Sequence, residues 1–301
     1  MKAVVVRGAG DVRLEERPRP QVAPGQVLIR VRACGVCGTD RHIRAGEFPA
    51  AEGVVLGHEF AGEVVEVGAG VSDLAPGQRV AVDPNIACGI CRPCRAGKVH
   101  LCLGLTAMAE PLACCLHGID LAGILAGQTV LVIGGGAIGQ IHAQLARLSG
   151  AGRVVLSDPI PRRRELARQL GVDALLDPSA QTVDQMQAAL DGGADVVIEA
   201  VGSPATAEQS IALAAPGSTV VWFGVAAPKA RSTISPYDIY RREITVRGSF
   251  VNPFTHQRAL ALLASGRLQV APLITRRVGL ADLPQVLAAP PGDDVKVMAM
   301  V

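Results

Sequence analysis

Thr129–Ala146 reads TVLVIGGGAIGQIHAQLA: a short apolar run rich in β-branched residues, a glycine cluster, then a stretch of helix formers. Gly134, Gly136 and Gly139 form G-x-G-x-x-G directly between the predicted strand and helix. The first glycine allows a tight turn, the second lets backbone approach a pyrophosphate, and the third lets helix pack on strand, with phosphates at the helix N-terminus. These glycines and Ile138 among them are the candidate dinucleotide-binding residues. Asp158 ends the next predicted strand, RVVLSD, where a carboxylate accepts from both ribose hydroxyls and repels a 2′-phosphate; NAD is therefore expected over NADP. Arg162, Arg163 and Arg164 follow. Arg163 joins the cofactor-binding set, and the three arginines either soften the preference or start a solvated helix face.

Working outward, the stretch from Gly127 alternates strand and helix: RVVLSD, RRRELARQLG, DVVIEAVG, ATAEQSIALAAPG and STVVWFG. This is the rhythm of a doubly wound parallel sheet. Upstream, KAVVVR, QVLIRVRACG, GEVVEVG and QRVAVDP are short apolar or alternating segments separated by Gly and Pro, which predicts a small β-barrel or sandwich. Downstream come a helix, THQRALALLASGRL, and an apolar strand, VKVMAMV, that returns toward the N-terminal domain. A length of 301 residues suits two such domains.

Composition narrows the class of function. The 29 basic and 27 acidic residues are interspersed, leaving no electrostatic footprint for nucleic acid or an anionic membrane. Apolar runs break long before the ~18–20 residues a membrane span requires. The N-terminal stretch MKAVVVRGAGDVRLEE lacks a secretory pattern, so a cytoplasmic protein is expected. Eight cysteines in that setting point to metal ligands or buried thiols rather than disulfides.

Two ligand sets emerge. Cys88, Cys91, Cys94 and Cys102 are spaced C-x2-C-x2-C-x7-C, and four thiolates close a tetrahedral zinc with no open position. RACGVCGTDRH and GHEFAGEVVEVGAGV contribute Cys37, Thr39, Asp40, His42, His58 and Glu59. Thiolate, imidazole and carboxylate suit a zinc that keeps one position open. Cys34, Cys114 and Cys115 read as small buried hydrophobes, and Trp222, Phe223 and Tyr237 as packing residues.

CGVCGTD, GHEFAGEVVEVGAGV, the four-cysteine loop and VLVIGGGAIG, in that order, resemble the zinc-containing medium-chain alcohol dehydrogenases over nearly the full chain. EPLACCLHGID, GSFVNPFTH and ALLASGRL look most like the sorbitol and polyol dehydrogenase branch. The resemblance implies an α/β fold: a GroES-like catalytic domain at 1–107 and 253–301, and a Rossmann domain at 108–252. It also implies Cys37 and His58 on the catalytic zinc with Glu59 or Glu110 and water, Thr39 at the substrate oxygen, His42 as proton relay, and Asp40 orienting a ligand. Two Zn2+ per chain, NAD, and a homo-oligomer, dimer or tetramer, are expected with it.

One departure stands out. In the family a longer segment separates the last structural cysteine from the EPL motif, whereas here LGLTAMA alone joins Cys102 to Glu110. Those steps span at most roughly 26–29 Å, so the site can still assemble with a less covered cleft. The expected activity is NAD-dependent oxidation of a secondary alcohol, a polyol such as sorbitol, to its ketone. The alternatives are an alcohol, diol or threonine dehydrogenase, or an NAD-binding zinc scaffold impaired by the deletion.

Overall fold

The computed structural model describes residues 1–83, 111–290 and 292–301. Cys88, Cys91, Cys94, Cys102 and Glu110 lie outside the described residues. The described chain divides into two compact units, residues 1–83 with Ile274–Val301, and Pro111–Leu273.

The first unit starts with an antiparallel hairpin, β1 (Lys2–Gly8) and β2 (Asp11–Glu16). Ala3–Val6 are buried in β1, while on the exposed side Arg7 makes two hydrogen bonds of 2.7 Å to Glu15 across the pair. β3 (Val27–Gly35), the short helix α1 (Gly38–Arg44), β4 (Glu59–Val67) and β5 (Arg79–Ala81) follow.

In the second unit, α2 (Pro111–Ala122) leads into β6 (Thr129–Ile133), α3 (Ala137–Leu148), β7 (Arg153–Ser157), α4 (Pro161–Gln169) and β8 (Ala174–Leu176). Then come α5 (Val183–Ala189), β9 (Ala194–Glu199), α6 (Pro204–Ala212), β10 (Ala214–Trp222), α7 (Pro236–Arg242), β11 (Thr245–Gly248) and α8 (His256–Ala264). The six strands are parallel in the order β11-β10-β9-β6-β7-β8. Covered on both faces, β6 buries Val130–Ile133, and Leu131, Val155, Val197, Leu213 and Val220 build the core with Met186 and Ile211. Truncating Leu131 there costs about 2–5 kcal/mol. Chain order reverses between β6 and β9, which opens a ligand crevice at their C-terminal ends.

The chain returns to the first unit through β12 (Ile274–Gly279), α9 (Leu283–Ala288) and β13 (Lys296–Met300). Its sheet runs β12-β13-β3-β4-β5, with β13 antiparallel to β3 so that Ala299 faces Cys34 and Met298 faces Gly35. An apolar cavity of about 790 Å³ lies in this unit, lined by residues including Leu28, Val31, Phe60, Leu283 and Leu287. The return falls at Ile274 rather than at residue 253 as expected from sequence. The reason is that α8 is fastened to α2: Thr255 Oγ1 donates to the Ala113 carbonyl at 2.6 Å, and Arg258 makes two hydrogen bonds to Asp120. Among the described residues no helix is long and apolar enough to cross a membrane.

Candidate metal centre and dinucleotide site

The corner between β3 and α1 places Cys37 at the N-terminus of the helix, in extended conformation, while His58 directly precedes β4 and Glu59 opens it. Cys37, His58 and Glu59 each bring one donor atom within 4.8 Å of the others. Thiol sulfur, imidazole nitrogen and carboxylate oxygen in so small a volume match the donor chemistry of zinc.

Asp40, buried on the first turn of α1, ties this set together. Its Oδ2 accepts from the Cys37 amide at 2.9 Å, and its Oδ1 lies 3.5 Å from His58 Nδ1. An imidazole that presents Nδ1–H to Asp40 leaves Nε2 as its lone-pair donor. Burial of His58 disfavours its charged form, but Asp40 and Cys37 outweigh that and hold its pKa at about 10. A bound dication reverses that preference, since a metal takes neutral imidazole.

Glu59 is buried and pairs with Lys296, which reaches it from β13. Burial works against the Lys296 ammonium, yet Glu59 outweighs it and keeps the pKa above its ordinary value. Gly35 makes room for the pair, because a Cβ there would fall 2.1 Å from Glu59 Oε2. Lys296 was not among the residues expected from sequence; its only signal was a lone cation in the apolar strand VKVMAMV.

The Thr39 hydroxyl lies 3.8 Å from Cys37 Sγ. His42, on the same helix, pairs through Nδ1 with Glu47 and stacks on Phe48 at 4.9 Å between ring centroids. Cys34, half-buried beside the same charges, keeps its proton, because burial and Asp40 push its pKa up to about 12. Cys115 is buried, as expected, whereas Tyr237 is exposed and packs against little.

The glycine turn of the second unit is built from main chain. Gly134 adopts φ +102°, and its amide donates to the Ser157 carbonyl at 2.7 Å. A Cβ on Gly139 would sit 1.7 Å from the Gly134 carbonyl oxygen, so only glycine lets α3 start this close to β6. Gly136 precedes α3 and faces open space, leaving room for a phosphate at the helix N-terminus. Ile138, in the first turn of α3, accepts through its carbonyl from the Cys115 thiol at 3.8 Å.

Asp158 directly follows β7, which ends at Ser157, and its carboxylate is already engaged. Oδ2 accepts from Gly135 N–H at 2.6 Å, Oδ1 from Ile160 N–H at 2.7 Å, and the Arg163 guanidinium stands 3.7 Å away. It therefore clamps the glycine turn from a nearly buried position. The sequence reading also passed over His142 on α3, fully buried edge-on to Phe223, with both ring nitrogens lacking a hydrogen-bond partner among the described residues.

Residues 23–135 match the alcohol dehydrogenase GroES-like domain family, and residues 137–265 match the zinc-binding dehydrogenase family. The sorbitol dehydrogenase of Gallus gallus is 32% identical over 339 aligned positions, covering 98% of this chain and 95% of that protein. The chain belongs to the zinc-containing medium-chain dehydrogenases. Within them it is similar to the sorbitol and polyol branch, and the GroES-like and Rossmann names apply to its two units. An L-threonine 3-dehydrogenase of Streptomyces avermitilis is 34% identical, covering 94% of each chain. A Sinorhizobium meliloti 1021 protein solved with bound NADP superposes with a TM-score of 0.95 at 42% identity, covering 100% of this chain and 99% of that one. An alignment of 339 positions on a chain of 301 residues contains several dozen places where the sorbitol dehydrogenase has a residue and this dehydrogenase has none.

Proposed function

We propose that this zinc-dependent alcohol or polyol dehydrogenase oxidises a polyol of the sorbitol class at a secondary carbinol, with NAD as hydride acceptor. The observation that carries the reading is the convergence of Cys37, His58 and Glu59 in a unit of the same chain that carries the glycine turn and Asp158. When bound, zinc supplies a Lewis acid for the alcohol oxygen and nicotinamide supplies a hydride acceptor.

The chain's own groups do the rest. Cys37 and His58 hold the metal, with Glu59 or Glu110 as the third protein ligand, and Asp40 fixes the first two in place. Thr39 orients the substrate hydroxyl and takes its proton. His42, whose Nδ1 is engaged by Glu47, keeps Nε2 to pass that proton to solvent. The second zinc sits on Cys88, Cys91, Cys94 and Cys102 and is structural. Gly134, Gly136, Ile138 and Gly139 cradle the pyrophosphate, and Asp158 with Arg163 reads the ribose. A cytoplasmic homo-oligomer, dimer or tetramer, completes the proposal.

The threonine dehydrogenase relative supports a second reading, since threonine is also a secondary alcohol. A steady-state screen of polyols, vicinal diols and L-threonine with NAD and NADP, alongside zinc counting, decides between them. Polyol turnover with NAD and two zincs per chain is the expected result. Turnover of threonine alone overturns the substrate; one zinc in fully metallated protein overturns the two-site assignment. No turnover with both cofactors loaded leaves the impaired scaffold.

A further inference from the structure

Gln140 lies one turn into α3, its side chain fully buried. Its Nε2 donates to two main-chain carbonyls, Gly135 at 3.0 Å and Arg163 at 2.8 Å. Because both partners can only accept, the amide orientation is forced, and Oε1 is left buried without a hydrogen-bond partner among the described residues. A buried amide that leaves one of its own atoms unsatisfied is expensive to keep for packing alone, where an apolar side chain of the same length would serve.

Its two partners belong to the two turns that meet the dinucleotide. The Gly135 peptide is held from both sides, its N–H by Asp158 Oδ2 and its C=O by Gln140. On the other turn, Asp158 Oδ1 takes the Ile160 amide, the Arg163 amide donates to the Ile160 carbonyl at 3.1 Å, and Gln140 takes the Arg163 carbonyl. The result is a closed circuit, Asp158 to Gly135 to Gln140 to Arg163 to Ile160 and back. Gln140 is the member that α3 contributes.

We propose that Gln140 is the positioning residue of the dinucleotide site, locking the phosphate-cradling turn to the turn that reads the adenosine ribose. The proposal rests on the dinucleotide reading given above. It touches no reacting atom; it acts through the placement of Gly135, Asp158 and Arg163.

Near-isosteric replacements separate hydrogen bonding from packing. Gln140→Met keeps length and volume but removes both donors, and Gln140→Glu places carboxylate oxygens against two carbonyls. The probe is ADP-ribose, titrated calorimetrically against the zinc-loaded full chain, with thermal unfolding of each variant measured alongside. Gln140→Met is expected to weaken ADP-ribose about 10-fold and Gln140→Glu more, with the KM for the cofactor rising further than kcat falls. Equal affinity in the wild type and Gln140→Met, or a lower unfolding temperature in both variants with unchanged affinity, overturns the proposal. If Gln140→Met does not fold, Gln140→Glu carries the same comparison. A wild-type chain that binds neither ADP-ribose, NAD nor NADP removes the dinucleotide reading itself, an outcome distinct from wild-type binding that the variants share.

Discussion

The two sites of this dehydrogenase are assembled by opposite means. The glycine turn is held by main-chain hydrogen bonds and by Asp158 and Gln140, and it lies beside the densely buried sheet of its unit. The candidate metal centre is a gathering of ionisable side chains, Cys37, Asp40, His58, Glu59 and Lys296, in a unit that also contains an apolar cavity of about 790 Å³. The first is held in shape by its own hydrogen bonds. The second is a cluster of charges whose balance depends on a cation, so its variants should act through metal and stability, while variants of the first should act through binding.

The largest effect expected is at the ligands. Cys37→Ala and His58→Ala should each remove turnover to background and one zinc per chain, while ADP-ribose binding persists. Retained polyol oxidation in either variant would place the catalytic metal elsewhere. Next is Lys296→Met, which leaves the Glu59 carboxylate buried without its cation and should cost about 3–5 kcal/mol of metal-free stability. Zinc should restore part of that loss, because Glu59 gains a cation again; chemical denaturation with and without zinc measures both. An unchanged midpoint would mean that the pair contributes nothing.

His142 tests the dense unit. Burial pushes its pKa down to about 3, so the folded chain keeps it neutral while the unfolded chain protonates near 6.5. Its contribution is therefore intact above pH 6.5 and lost progressively as pH falls from there toward 3. Wild type should lose about 2 kcal/mol more than His142→Leu between pH 7.5 and 5. Parallel stability curves for the two proteins would show that the imidazole finds a proton partner in the fold. The smallest effect is Asp158→Ala, expected to narrow the preference for NAD over NADP by about 10-fold, or ~1.4 kcal/mol, in paired titrations. Equal cofactor affinities before mutation would contradict the assignment at once.

What was legible in the sequence follows the range of the physics involved. The glycine turn, the parallel sheet and the return of VKVMAMV are written in local pattern: apolar runs, turn residues and spacing. Cys37, His58 and Glu59 were readable as ligand types, and the fold brings them together. β2 was missed because DVRLEE offers only Val12 and Leu14 in alternation, too short a run to read as a strand, although both pack into the core beneath β1. α1 was missed because seven residues are too few for a helical period. The Lys296–Glu59 pair and the Gln140 circuit join residues far apart in the chain, and no local signal encodes such meetings. The boundary at Ile274 is of the same kind, fixed by Thr255 and Arg258 reaching α2.

The position of β13 between β3 and β12 also sets a timetable. A ribosome delivers β3 and β4 first, then the whole of the Rossmann unit, and only afterwards β13. At ~5–20 residues per second, roughly 10–50 s pass during which β3 has an open edge and Glu59 has no cation. The Rossmann unit can close on itself in that interval, because every strand of its sheet has already emerged. The catalytic unit is thus finished last, and a nascent chain stalled before β13 would carry a folded cofactor domain beside an unsealed sheet, a natural target for chaperones.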